Sequence, residues 1–364
     1  MFNISASPRK ARTSNFELLR IISMAFIVIG HFITQTDALT VLSGRNLLFA
    51  QFSGLFLRCA TSLFLMIGTW FLIPVDNKIN CLLYKQGGVL KLYSQYWFYS
   101  VFIFLSVFIF NVPYSKTSVI QSFFPFLTRN CWFVSQWICL LLVAPYINSL
   151  FCLSQKYIKS IILILFIIFS FYSTVYPKSM DTAMCNFSWF LFIYLFMGYY
   201  KLYVHENFYF NKYLALLIGI TLYVGLVTVY AFTQGFLQKQ ALRFLFDFKT
   251  IPNFLICLCV FYFFSHIDIG SLSWLNSIAK GTLAVYLIHQ HCAFKDYLWH
   301  NIFHCDLWIK SDNEFFPLQT LLLVISLFFI ACIIDFIRRF FIEPNWIKSK
   351  LFTFLEMQIE KLYK

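Results

Sequence analysis

Three side chains near the start of the chain are of types that an apolar helix seldom carries: Glu17, Arg20 and His31. At about 100° per residue, the eleven steps from Arg20 to His31 return to within roughly 20° of one direction, about 16 Å further along the axis. The two therefore share one stripe of a predicted helix. Glu17 stands three residues before Arg20, a spacing that permits an ion pair on the helix surface. A guanidinium can hold an anion, and an imidazole with an ordinary pKa near 6.5 takes and returns a proton at neutral pH. This pattern suits a polar cavity in which Arg20 anchors an anion and His31 acts as base or acyl acceptor. The structural alternative is that Arg20 snorkels to lipid headgroups and His31 bonds to a neighbouring helix.

Two further places carry comparable chemistry. Arg58 is expected near the outer end of the second apolar segment, either as a site residue or as an interfacial anchor. His289 lies three residues after Tyr286, so the two rings share a helix face, and it reads either as a site residue or as a buried structural histidine. His291, His300 and His304 are expected on a solvated outer surface. The pair His289 and His291 is not read as part of a zinc set, and none of the 11 cysteines forms a CxxC. The expectation is therefore no metal and no bound cofactor, with the cysteines acting as small apolar packing residues.

The elements that must position these groups are membrane helices. The chain is 60% hydrophobic and 12% charged, with a mean hydropathy of +0.73, whereas soluble domains carry roughly a quarter charged residues. The 21% aromatic content suits lipid-facing surfaces and interfacial belts. With roughly 20 apolar residues per span, the fold class is all-α and polytopic, with about ten helices near 16–36, 53–74, 90–112, 131–152, 158–176, 187–204, 212–233, 249–266, 277–297 and 317–341. Residues 1–15 form a tail, 16–342 one membrane domain, and 343–364 a basic tail, with no further domain expected. Arg9, Lys10 and Arg12 precede the first span as in a signal peptide, but no small-residue cleavage site follows, so that span is predicted to stay attached. Of the 28 Lys and Arg residues, 17 fall in the tails and the loops near 75–91, 153–160, 201–212 and 267–280, and 9 in the alternate set. That excess puts both termini in the cytoplasm. The formal charge of +13 forms no dense run, so topology explains it and nucleic acid is not an expected partner.

The ordered motifs resemble the acyltransferase 3 family of bacterial membrane O-acyltransferases over nearly the whole chain. Phe16-Glu17-Leu18-Leu19-Arg20, followed by His31, is similar to the family's first-helix signature of an arginine, ten residues and a histidine. Arg58 with Leu63-Phe64-Leu65-Met66-Ile67-Gly68 resembles its second-helix segment. Cys131-Trp132-Phe133-Val134 through Pro145-Tyr146-Ile147-Asn148 resembles the fourth, and Trp189 to Leu195 with Gly198-Tyr199 another. Val285-Tyr286-Leu287-Ile288-His289 and Asp335-Phe336-Ile337-Arg338-Arg339 complete the series. The second segment departs from the family at Ile67-Gly68-Thr69-Trp70, where Ile-Ser-Gly-Tyr is usual. Lys85 and Lys91 stand where arginines are common, and Ser94 and Gln95 where a proline is.

The resemblance implies transfer of an acyl group, usually acetyl from cytoplasmic acetyl-CoA, to a hydroxyl of a surface glycan or its lipid-linked precursor. The expected setting is the bacterial plasma membrane. Arg20 would then hold the acyl-CoA and His31 would be the catalytic residue. Glu17, Arg58, Tyr286 and His289 would orient the acceptor, stabilise an oxyanion or support the site. A glycan or lipid exporter without covalent chemistry is the alternative reading, distinguished by whether acyl-CoA is consumed.

Overall fold

The computed structural model describes residues 14–73, 87–175, 183–233 and 247–361. The expectations that fall on Arg9, Lys10, Arg12 and Lys85 lie outside these. Among the described residues there is no β-strand, and seven helices are long and apolar enough to cross a membrane. We label the elements that matter below α1 (Asn15–Gln35), α2 (Gly44–Leu72), α3 (Gly87–Ile109), α4 (Trp132–Asn148), α5 (Ala183–Tyr199), α6 (Lys212–Phe232), α7 (Ile251–His266), α8 (Ser273–Lys280), α9 (Thr282–His289) and α10 (Phe316–Ile337).

Helix α1 is the axis around which the others pack. Of its most apolar window, 56% is buried, against 28% in α6 and 33% in the span beginning at Phe316. The outer helices instead turn Leu217, Ile220, Leu321, Ile325, Phe329 and Phe336 outward. In a bilayer such faces meet lipid tails at no hydrophobic cost, so helix association must come from close packing.

That close packing is clearest between α1 and α2, which run antiparallel. A Cβ placed on Gly30 would stand 2.3 Å from Leu57 Cβ, and one on Gly54 would stand 2.9 Å from Ile33 Cδ1. The missing side chains let the two backbones approach and fix the register. Phe26 then meets Phe56 at 4.6 Å between ring centres, and Phe16 meets Trp70 at 5.7 Å. This register places Arg58 near the level of His31. At the other end, the Ser14 hydroxyl accepts from Leu272 N–H and the Ser14 N–H donates to Gly270 O, pinning the start of α1 to the α7–α8 connector.

Two expectations about the spans are corrected. Helix α2 begins nine residues earlier than the predicted boundary at 53, so Arg58 stands in mid-helix instead of near an end. Its first turn is secured by Asp312, whose Oδ2 accepts from the backbone and hydroxyl of Ser43 and whose Oδ1 accepts from Asn46 Nδ2 at 2.8 Å. The Ser43 hydroxyl, followed by the Asn46 amide, holds the Asp312 carboxyl below its ordinary value of 3.8. Likewise, the predicted continuous span over 277–297 is broken. It kinks at Gly281, where a Cβ would stand 2.6 Å from Cys332 Sγ, and its helix ends at His289. The chain turns there because His291 Nδ1 accepts from Ala293 N–H and His291 O accepts from Phe294 and Lys295.

Candidate functional site

His31 projects from α1 toward α9, and its Nδ1 lies 3.0 Å from His289 Nε2. His289 is fully buried, and its Nδ1 lies 2.6 Å from the Val285 carbonyl one turn back in its own helix. A carbonyl oxygen only accepts, so His289 Nδ1 carries a hydrogen and its Nε2 carries a lone pair. His31 Nδ1–H must then be the donor to His289. The neutral ring has one hydrogen, which leaves His31 Nε2 as a lone-pair nitrogen. The chain from Val285 through His289 to His31 thus fixes both tautomers and presents a base.

Around His31 lies a small cavity of about 30 Å³ bounded by Ile27, Thr61, Phe64, Phe133, Leu283 and Tyr286. Tyr286 is buried, with its ring centre 6.4 Å from that of His31 and 5.9 Å from that of His289. A second cavity, of about 290 Å³, lies toward the start of α1 and is lined by Arg20, Lys280, Gln95, Gly68 and Trp137 among others. Phe64, Phe133 and Leu283 line both, so a single aromatic and aliphatic wall divides the two.

Arg20 enters the larger cavity already oriented. Its Nη1 donates to Glu17 Oε2 at 2.9 Å, and its guanidinium lies 5.9 Å from the Phe71 ring centre. The Arg20 side chain is 18% exposed and that of Glu17 only 1%, so the carboxylate is sealed behind the guanidinium and the cation faces the space. Arg58 is half-buried three residues before Thr61, on the face of α2 that borders the His31 cavity.

The arrangement is therefore a cationic vestibule, a dividing wall and a held imidazole base. The family of acyltransferase domains called acyltransferase 3 matches residues 13–336. The chain belongs to the acyltransferase 3 family. It is thus a membrane acyltransferase, while no curated protein and no solved structure matches it.

Other segments that resemble acyltransferase 3 are structural supports of this site. Tyr194 donates to Asn148 Oδ1 at 2.7 Å, joining α5 to α4 beside the fully buried Trp189. Asp335, fully buried, takes hydrogen bonds from Tyr99, Gln95 and Arg338 and pairs with Arg339 at 2.8 Å, tying α10 to α3. The Gly68 departure has a local cause: a Cβ there would stand 2.5 Å from the Trp137 indole, so the ring occupies the room a serine would need.

The structure sets Arg20, held by Glu17, in the larger cavity and His31 with Tyr286 at the smaller one, His289 behind His31 and Arg58 on the adjoining face of α2. His291 departs from expectation. It is buried, with Nε2 bonded to Ser100 O at 3.0 Å, because the turn after His289 folds it inward. Sequence reasoning missed Lys280 and a ladder in which Trp299 Nε1 donates to Gln35 Oε1 and Gln35 Nε2 donates to Gln290 Oε1. Gln35 was detectable, since it stands one turn beyond His31 on the same stripe. Nothing in the sequence marks the others.

Proposed function

We propose that this acyltransferase moves an acyl group, foremost acetyl, from cytoplasmic acyl-CoA to a hydroxyl of a cell-surface polysaccharide or its lipid-linked precursor. The observation that carries the reading is the held lone pair of His31 behind a wall shared with the Arg20 vestibule. In this reading the chain has ten spans in a bacterial plasma membrane, with both termini and the vestibule on the cytoplasmic side. CoA phosphates rest against Arg20 and Lys280. The pantetheine arm spans a length comparable to the roughly 16 Å between Arg20 and His31 and carries the thioester past Phe64 and Leu283.

Two routes use the same base. In direct transfer, the acceptor hydroxyl oxygen attacks the thioester carbon while its proton passes to His31 Nε2. The C–S bond then breaks, and the proton returns to the CoA thiolate. In the stepwise route, His31 Nε2 attacks the thioester carbon and the C–S bond breaks to release CoA thiolate; the hydroxyl oxygen then attacks the acyl carbon, the C–N bond breaks, and the hydroxyl proton passes through the freed imidazole to the thiolate. In both, Arg58 offers positive charge to the oxyanion, an effect that grows in a dry site. His289 positions His31, and Tyr286 closes the cavity around it.

The test compares surface glycans from cells holding wild type or His31→Ala at equal membrane levels, by mass spectrometry. An acetyl increment only with wild type supports the proposal. Its absence from both, with glycan export altered by the wild type, would refute it.

A further inference from the structure

The last apolar helix runs unbroken over 32 residues, Phe316–Ile347. At 1.5 Å per residue that is about 48 Å, against about 30 Å of hydrocarbon in a bilayer. One end must therefore stand in the headgroup layer, and the charged end, from Arg338 to Lys348, is the one suited to it. There the chain turns into an amphipathic helix, Lys350–Lys361, that packs back on α3. Between α3, the end of the long helix and this last helix lies a groove of about 470 Å³, larger than either cavity along α1 and of the size that holds a ligand.

The groove is built, not a slack gap. Trp346 Nε1 donates to Ser94 Oγ at 2.7 Å. Three residues earlier in both segments, Lys91 pairs with Glu343, which also accepts from Arg338 Nη1 at 2.7 Å. These bonds pin a polar edge. The rest of the lining is nearly all apolar and includes Leu90, Trp97, Ile342, Leu351 and Leu355. Trp97 and Leu351 are exposed, as are Phe102, Phe336 and Phe340 on the same walls, so the groove opens on the lipid-facing surface. Water in such a groove would be costly, whereas a hydrocarbon chain fills it at close packing.

Charge selects the headgroup. Asp335 is matched by Arg339 and Glu343 by Arg338. Among the described residues of this region, that leaves Lys91 and the exposed Lys348 and Lys350 against one acid, Glu356. Lys91 lines the groove with its side chain 52% exposed, and its ammonium has three N–H groups, of which Glu343 needs one. A surplus of cations beside an apolar groove in the headgroup layer matches a phosphate that carries hydrocarbon chains.

We infer that this groove binds one anionic phospholipid of the surrounding leaflet, with a hydrocarbon chain along Trp97 and Leu351 and the phosphate at Lys91. The lipid is held and not chemically changed, so the inference does not depend on the donor or acceptor proposed above. Gln95 lines both this groove and the Arg20 cavity, so the bound lipid backs the wall of the vestibule.

The test places the full chain in vesicles of phosphatidylcholine and phosphatidylglycerol in equal parts, releases it into mild detergent and counts retained lipids by native mass spectrometry. Wild type should keep one phosphatidylglycerol per chain in preference to phosphatidylcholine. Lys91→Gln should weaken that preference about fivefold, the effect of one cation beside an anionic headgroup, and Lys91→Arg should restore it, which excludes misfolding as the cause. Leu355→Trp fills the groove and should displace the lipid. Ile325→Trp, which adds the same ring to an exposed face of α10, should leave it in place. No lipid on the wild type, equal retention of phosphatidylcholine, or retention unmoved by Lys91→Gln or by Leu355→Trp overturns the site. A polyprenyl phosphate retained instead, when the protein is extracted directly from its cells, overturns the phospholipid assignment.

Discussion

The two ends of α1 are built on opposite plans. At the Arg20 end the cation is neutralised by a buried carboxylate, braced by an aromatic ring and set in a cavity of about 290 Å³. At the His31 end the cavity is about 30 Å³ and the imidazole is locked by a second histidine. The first plan suits a large ligand that arrives with its own shape and only needs anchoring. The second suits chemistry, where tolerance is tight. The helix thus separates binding from reaction by its own length.

Breaking the His31 end should have the larger effect. His289→Ala removes the acceptor for His31 Nδ1–H and frees the ring to rotate or change tautomer. We expect kcat to fall roughly 10²-fold with KM for acyl-CoA unchanged, and His289→Gln, whose carbonyl can still accept, to recover part of the loss. A rise in KM for acyl-CoA with kcat unchanged would instead place His289 in the donor site.

Breaking the Arg20 end should act on binding. Arg20→Ala is expected to raise KM for acyl-CoA by about 10-fold while kcat at saturation changes little, since a charge-assisted contact is worth about 1.5–3 kcal/mol. The variant also leaves Glu17 buried without its cation, so Glu17→Gln/Arg20→Gln provides the control in which no lone charge remains. Initial rates across a range of acyl-CoA concentrations decide the matter; equal losses in kcat and kcat/KM would place Arg20 in the chemical step.

The smallest effect sharpens the comparison at the wall between the two ends. Gly68→Ser adds atoms where the Trp137 indole already stands, 2.5 Å from the new Cβ. The expected cost is about 1–3 kcal/mol of stability, seen as a lower midpoint in detergent melting, with rates reduced only a few-fold. Pairing it with Trp137→Phe, which shortens the ring, should recover the midpoint; failure to do so would mean that the glycine serves the helix backbone and not the ring.

What the sequence alone determined about this protein is what a single helix or a simple count can express. The relation of Glu17, Arg20 and His31 follows from the 3.6-residue period, which no neighbour alters. The membrane class follows from composition, and the family from motifs in order. What only the tertiary structure decided depends on segments distant along the chain. His289 lies 258 residues from the ring it orients. No periodicity could reveal that contact, because it is set by how α9 breaks at Gly281, ends at His289 and packs on α1. The same holds for Arg58, whose place beside His31 comes from the glycine-lined approach of α2 to α1. It holds also for Lys280, an ordinary polar residue at a helix end until the fold turns it into the Arg20 cavity. Hydropathy finds the spans because each meets lipid on its own; it cannot find their breaks and mutual register, which arise only when one helix packs against another.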